Sequence, residues 1–316
     1  MEYDFFNGDA DGIISLHQYR MLVPNESVKF TGVKRDVELL RHVLEQDICH
    51  QLLNVFDVSM KTNHIHIIEA LRNCNHIRWF DHHDPGDFDY GNDVRSVIDT
   101  NPETCTAIIV DEYIERKYTD WTIAAAYGDN LHATAKRIGN KLSDEQHQTL
   151  KHVGEVINYN GYGRTEQDLI AHPLDVFNDL HEYVSPFEYA DTSELFAKID
   201  TQMKLDQEEV NKSVTLLDKT FGKVVRLPDS ISSIRYSGIY SNQLATDNPD
   251  MAFAILTTVP HGYRVSIRAP LNRPTGAGAL ASQFNTGGGR EKAAGINLLG
   301  EDQLESFFDK FEQAFG

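Results

Sequence analysis

Two aspartates two positions apart, Asp9 and Asp11, stand between glycines in Asn7-Gly8-Asp9-Ala10-Asp11-Gly12. Further along, one carboxylate follows an apolar run in Phe56-Asp57-Val58-Ser59, and a cluster of acids and imidazoles follows another in Asp81-His82-His83-Asp84-Pro85-Gly86. Carboxylates that converge repel each other. They either stay apart in water or share a cation, and hard divalent ions such as Mg2+ and Mn2+ take oxygen ligands of this kind. Each piece also has a plain structural use, since aspartate caps helices and Asp-Pro-Gly is good turn chemistry. Gly128-Asp129-Asn130 adds a carboxylate at the polar end of the small-residue stretch Trp121-Thr122-Ile123-Ala124-Ala125-Ala126-Tyr127. A buried lone aspartate is costly unless paired or bound to metal, so Asp129 is the candidate for the remaining ligand.

The elements that must position these groups follow from periodicity. Short apolar runs at 3–6, 28–33, 52–58, 77–80 and 94–98 alternate with stretches at 13–22, 37–44 and 63–73 whose apolar residues recur at three- and four-residue spacing. That alternation predicts βαβ units and a parallel sheet. Strands of one parallel sheet present their carboxyl ends along one edge, where open α/β sheets place ligands. Asp9, Asp11, Asp57, Asp81, His82 and His83 can therefore meet although they are far apart in the chain. Their joint occurrence at three strand ends, rather than any one residue, points to a metal centre.

Beyond this region, 142–158 reads as a helix broken by Asn160-Gly161-Tyr162-Gly163-Arg164, and the charged amphipathic stretch 195–217 reads as a helix connecting two domains. From Gly222 on, β-type runs are expected at 224–227, 231–236, 251–258 and 263–267, with a helix at 277–284 leading into a loop, Thr286-Gly287-Gly288-Gly289-Arg290. Gly287, Gly288 and Gly289 let backbone N–H groups approach an anion, and Arg290 supplies a planar fork suited to phosphate or a guanine edge. Arg268 is a second candidate anion contact. The expected boundaries are a metal-binding domain at 1–193, a connecting helix at 194–221 and a substrate-binding domain at 222–316.

With 29 Lys+Arg against 48 Asp+Glu, the chain carries a net charge of -19 and has no basic run. Long-duplex nucleic acid is thereby disfavoured, while a small anionic substrate remains open if metals and a few arginines reverse the local field. Three widely spaced cysteines, Cys49, Cys74 and Cys105, suggest neither a disulfide framework nor a thiolate zinc site. No membrane-spanning apolar run or signal-peptide pattern stands out, so the cytoplasm is the expected compartment.

The motifs together resemble the DHH phosphoesterase family. Gly8-Asp9-Ala10-Asp11-Gly12, Asp57, Asp81-His82-His83 and Gly128-Asp129 occur in order, and Val265-Ser266-Ile267-Arg268 with Gly287-Gly288-Gly289-Arg290-Glu291-Lys292-Ala293-Ala294-Gly295 resembles the associated C-terminal domain. The resemblance implies an α/β fold, with an N-terminal parallel-sheet domain holding two divalent metals, typically Mn2+, and a smaller C-terminal α/β domain binding substrate. It further implies Asp9 and Asp57 as ligands of one metal, and Asp11, Asp57, His82 and Asp129 as ligands of the other. His83 would face the substrate phosphate, oriented by Asp81, in a two-metal hydrolysis of phosphate esters. Phe5 stands where members often carry a ligating histidine, so the first metal is expected to be weak, water-completed or absent. Arg290 stands where a histidine usually ends the glycine motif. The expected activity is hydrolysis of linear dinucleotides such as pGpG or pApA, as in enzymes that degrade very short RNAs. The alternatives are a 3′-phosphoadenosine 5′-phosphate phosphatase, a single-strand exonuclease, and a degenerate nucleotide-binding protein. Expected partners are a short linear nucleotide, no long duplex and no membrane, with a homodimer left open.

Overall fold

The five apolar runs of the first hundred residues become five strands in the computed structural model, which describes residues 1–316: β1 (Glu2–Phe6), β2 (Ser27–Phe30), β3 (Leu52–Phe56), β4 (His76–Asp81) and β5 (Val94–Ile98). All pair in parallel, in the order β2-β1-β3-β4-β5. The chain leaves β1 for one neighbour and returns to its other side, so the strand order reverses between β1 and β3. A crevice opens at such a switch point, outside the strands' carboxyl ends. The central strands are buried on both faces, which is why they read as continuous apolar runs. Phe5, Leu53, Val55, Ile77 and Trp79 pack in one core cluster, while Phe56 stacks on Phe80 at 5.3 Å and meets Tyr19 of the helix Ala10–Leu22. That helix is tied to the sheet by a buried ion pair, with Arg20 Nε donating to Asp4 Oδ2 at 2.8 Å.

Gly8 is required where β1 gives way to this helix. A Cβ there would lie 1.8 Å from the Gly32 carbonyl oxygen, in the loop after β2, so only glycine lets the two strand ends approach this closely. Asp9 then caps the helix, its Oδ1 accepting from Gly12 N at 3.1 Å. The weak helical pattern at 37–44 resolves into a 3-10 turn, Leu39–Arg41, and a single helical turn, His42–Glu45.

The chain divides into two compact units, Met1–Thr201 and Gln202–Gly316. The second carries β6 (Val214–Lys219), β7 (Gly222–Arg226), β8 (Ala252–Val259), β9 (Gly262–Arg268), β10 (Gly287–Gly289) and β11 (Ala293–Leu299), in the order β10-β11-β9-β8-β7-β6. This sheet is mixed, with β7 and β8 parallel and the other pairs antiparallel. The α/β class and the smaller C-terminal α/β unit agree with the sequence reading.

Three local expectations need correction. The helix expected over 194–221 ends at Val210, and 214–219 forms β6, because Val214-Thr215-Leu216-Leu217 pairs with β7 as a hairpin. The run at 231–236 is helical, within Ile231–Asp247; Ser230 caps it by accepting from Ser233 N at 3.3 Å, a local signal that outweighs the β-branched isoleucines. Gly287, Gly288 and Gly289 form the edge strand β10 rather than a loop. No helix is long and apolar enough to cross a membrane.

Candidate metal centre

The crevice between β1 and β3 gathers the predicted acids of the first unit. Asp11 sits in the first turn of the helix after β1, and both its oxygens accept backbone N–H groups, from Ala107 and Thr106 at 2.8 Å each. These donors belong to the start of the helix Thr106–Tyr113, where unpaired N–H groups favour a carboxylate. Asp57 follows β3 with φ 55°, in the left-handed region. Such a residue stores strain on the order of 1 kcal/mol and is held by its surroundings. Its N–H donates to Phe80 O at 3.0 Å, and its Oδ1 accepts from Thr106 Oγ1 at 3.2 Å.

Asp81 ends β4 and organises both histidines. Its Oδ1 accepts from His82 N at 2.9 Å and from His83 Nδ1 at 2.7 Å, while its buried Oδ2 has no hydrogen-bond partner. His82 Nδ1 lies 3.0 Å from Thr104 O. A carbonyl only accepts, so the His82 proton is on Nδ1 and Nε2 is left as a lone-pair donor. That Nε2 is 3.5 Å from Asp57 Oδ1 and 4.0 Å from Asp129 Oδ2. Asp57, His82 and His83 offer ligand atoms all within 4.8 Å of one another. Because His83 Nδ1 is engaged by Asp81, the atom His83 has free is Nε2.

Electrostatics separate two sides of the crevice. Burial, then the charges of Asp11, Asp9, Asp81 and Asp129, push the Asp57 carboxyl well above the usual carboxylate range. Asp129 is pushed up to about 6 by burial, with Asp11 and Asp9 adding to the rise and Lys34 opposing it. Asp9 moves the other way: burial alone would raise it, but the Lys34 ammonium holds it below the ordinary value. Lys34 Nζ lies 2.6 Å from Asp9 Oδ2 and 3.0 Å from Asn158 Oδ1. Burial opposes a charge on His83, yet the hydrogen bond and charge of Asp81 outweigh it and hold the imidazole above its usual range.

The donor set around Asp57, His82 and Asp129 fits a divalent cation: mixed oxygen and nitrogen ligands converge, and neither carboxylate has an ammonium or guanidinium within salt-bridge distance. The Asp9 side does not fit a second one. Phe5 is fully buried and stacks on Phe30 at 5.0 Å, so it offers no ligand, and Asp9 is already neutralised by Lys34. Sequence reasoning missed Lys34, Thr104, Thr106 and Asn158. Lys34 was within its reach, since Gly32-Val33-Lys34-Arg35-Asp36 follows β2 just as the other site residues follow their strands.

In the second unit, Arg268 Nε donates to Asn242 Oδ1 at 2.9 Å and Nη1 to Ile267 O at 3.1 Å. Arg290 is exposed, in a tight turn closed by its N–H to Ala293 O at 2.9 Å. Gly289 has φ 143°, which a side chain would strain, whereas a Cβ on Gly288 would meet nothing within 4 Å.

Several solved structures share this fold. A DHH-domain member of the s1p family of ribosomal proteins superposes with a TM-score of 0.60 at 14% identity, covering 99% of this chain and 85% of that one. Exonuclease RecJ bound to manganese gives 0.60 at 16% identity, covering 99% and 89%. The pGpG-specific phosphodiesterase PggH from Vibrio cholerae gives 0.56 at 11% identity, covering 99% and 98%. No protein-family model matches the sequence, and no curated protein matches it. The chain has the fold of DHH-domain proteins.

Proposed function

We propose that the chain is a metal-dependent phosphodiesterase that hydrolyses short linear oligonucleotides, foremost linear dinucleotides such as pGpG or pApA, to mononucleotides. The observation that carries this is the convergence of His82 Nε2 on Asp57 Oδ1 at 3.5 Å and Asp129 Oδ2 at 4.0 Å, with His83 beside them, at the switch point of a parallel sheet. Asp57, His82, Asp129 and Asp11 would hold the divalent cation, Mn2+ or Mg2+. A cation held there would supply activation of a water and stabilisation of charge developing at phosphorus.

The chain's own residues account for the remaining roles. Asp81 fixes the His83 ring and favours its charged form, so that His83 Nε2–H is a donor for a phosphate oxygen. Thr104 O holds the tautomer that leaves His82 Nε2 as a ligand. The segment 222–316 is assigned to substrate binding, with Arg268, Gly287, Gly288, Gly289 and Arg290 as the candidate contacts.

A net charge of -19 without a basic run is unsuited to gripping many phosphates. The likeness to a pGpG-specific phosphodiesterase supports a dinucleotide; the likeness to RecJ supports, as a second reading, exonuclease action on a longer strand. Arg290→Ala should lower kcat/KM for dinucleotides by roughly 10- to 100-fold through loss of a charge-assisted contact, with metal content unchanged. An unchanged kcat/KM removes Arg290 from the site.

The reading is tested by mass-spectrometric product analysis with Mn2+ and a panel of pGpG, pApA, longer oligonucleotides, cyclic dinucleotides and 3′-phosphoadenosine 5′-phosphate. Mononucleotides from the dinucleotides are expected. Inorganic phosphate from 3′-phosphoadenosine 5′-phosphate alone, or turnover of long strands alone, would replace the reading with the corresponding alternative.

A further inference from the structure

We propose that the Lys34 ammonium takes the place of one of the two divalent cations implied by the family resemblance, so that the chain works with a single metal ion on its Asp57–His82 side. This rests on the reading of the strand-edge cluster as a phosphoesterase metal centre, but its readout is a metal count rather than turnover.

Asp11, whose oxygens accept backbone N–H groups, has no cation within salt-bridge distance, but Asp9 has one of its own. Asp9 Oδ1 accepts from Gly12 N at 3.1 Å as a helix cap, and Oδ2 meets Lys34 Nζ at 2.6 Å. The ammonium has further partners in Asn158 Oδ1 at 3.0 Å and the Tyr162 ring face, 5.5 Å to its centroid. Those three contacts match the three N–H donors of a lysine. Lys34 is also anchored at its backbone: its N–H donates to Gly161 O at 2.9 Å, and its carbonyl accepts from Asn7 Nδ2 at 3.3 Å. The side chain is thus built into the crevice from β1, from the loop after β2 and from the end of the helix Asp144–Asn160.

A divalent ion beside Asp9 would have to displace this cation or face its repulsion. It would also lack a ligand at Phe5, whose ring lies in the apolar core. On the other side, Asp57 and Asp129 have no protein cation within salt-bridge distance except imidazole. One fixed monovalent charge and one exchangeable divalent charge then serve the same row of carboxylates. Lysine brings charge without open coordination positions, so Lys34 is a positioning residue that pairs with Asp9 and leaves Lewis acidity to the single metal.

The test is metal counting on the full-length chain, stripped of metal, loaded with excess Mn2+, gel-filtered and measured by elemental analysis and electron paramagnetic resonance. One Mn2+ per chain with the spectrum of an isolated ion is expected. Two Mn2+ per chain with a spin-coupled spectrum would overturn the proposal while leaving the metal-centre reading intact, and no bound Mn2+ would overturn both. One Mn2+ without turnover of any phosphodiester would leave the proposal standing and remove the reading of function. The variant Lys34→Gln combined with Phe5→His should bind a second Mn2+; a folded double variant that still binds one would count against the proposal. Lys34→Arg keeps the cation and should stay at one; a count of two in that variant would also overturn the proposal.

Discussion

Asp9 and Asp57 end neighbouring strands of one sheet, with side chains equally buried at 4% exposure, yet they are held in opposite electrostatic states. Lys34 depresses the Asp9 carboxyl, while Asp57, among four other carboxylates, is pushed well above the usual range. Burial is the same for both; Asp9 is favoured as the charged partner by the Lys34 ammonium and by a hydrogen bond with the Asp57 carboxyl itself, so the two acids titrate as a pair. A buried carboxylate with its own cation is a structural element; one without is stabilised by whatever cation comes from solution. The proposed function therefore divides the crevice into a self-neutralised half and a half that recruits metal.

The division is sharpened first by His83→Ala. His83 is held by Asp81 beside the metal-recruiting half, so kcat should fall by roughly 10²- to 10⁴-fold while bound Mn2+ stays constant. Loss of the metal would instead make His83 a ligand. Next is Asp9→Asn, which keeps the cap on Gly12 but removes the charge facing Lys34. Unfolding should become easier by about 2 kcal/mol, less than for a fully buried pair because Lys34 is 26% exposed. Tm should drop by roughly 4–8 °C in a thermal scan, with Mn2+ affinity changed by less than about ten-fold. A large loss of Mn2+ would put Asp9 on the recruiting side and break the comparison.

The smallest effect is on pH dependence. Asp129 titrates at about 6 because burial and its acidic neighbours disfavour its charge. Below that pH a proton competes with the metal, so Mn2+ affinity should rise by up to about ten-fold per pH unit between pH 5 and pH 6. Calorimetric titration between pH 5 and pH 8 checks this, and a flat profile would remove Asp129 from the ligand set.

Much of the site was legible in the sequence because a parallel sheet converts a one-dimensional rule into a place. Residues immediately after apolar runs must lie on one edge, which puts Asp9, Asp11, Asp57, Asp81, His82 and His83 together from the sequence alone. Asp129 reached the same crevice from the end of a buried helix. Lys34 obeyed the same strand-end rule, but a single lysine beside Arg35 and Asp36 has no spacing that marks it. Its partner Asn158 lies in the last turn of a helix 124 positions away, and no local pattern links the two. Local propensity failed where pairing or capping won. The glycine run became an edge strand by pairing with β11, and Ser230 turned the isoleucines that follow it into a helix.

The most direct test of the account is kcat/KM for pGpG hydrolysis by Asp57→Asn, measured beside the wild type with Mn2+ in excess. Asparagine preserves size and removes the charge that the metal-recruiting half depends on. The account predicts a loss of at least about 10³-fold together with loss of bound Mn2+. Wild-type turnover in a variant that still binds Mn2+ would contradict it.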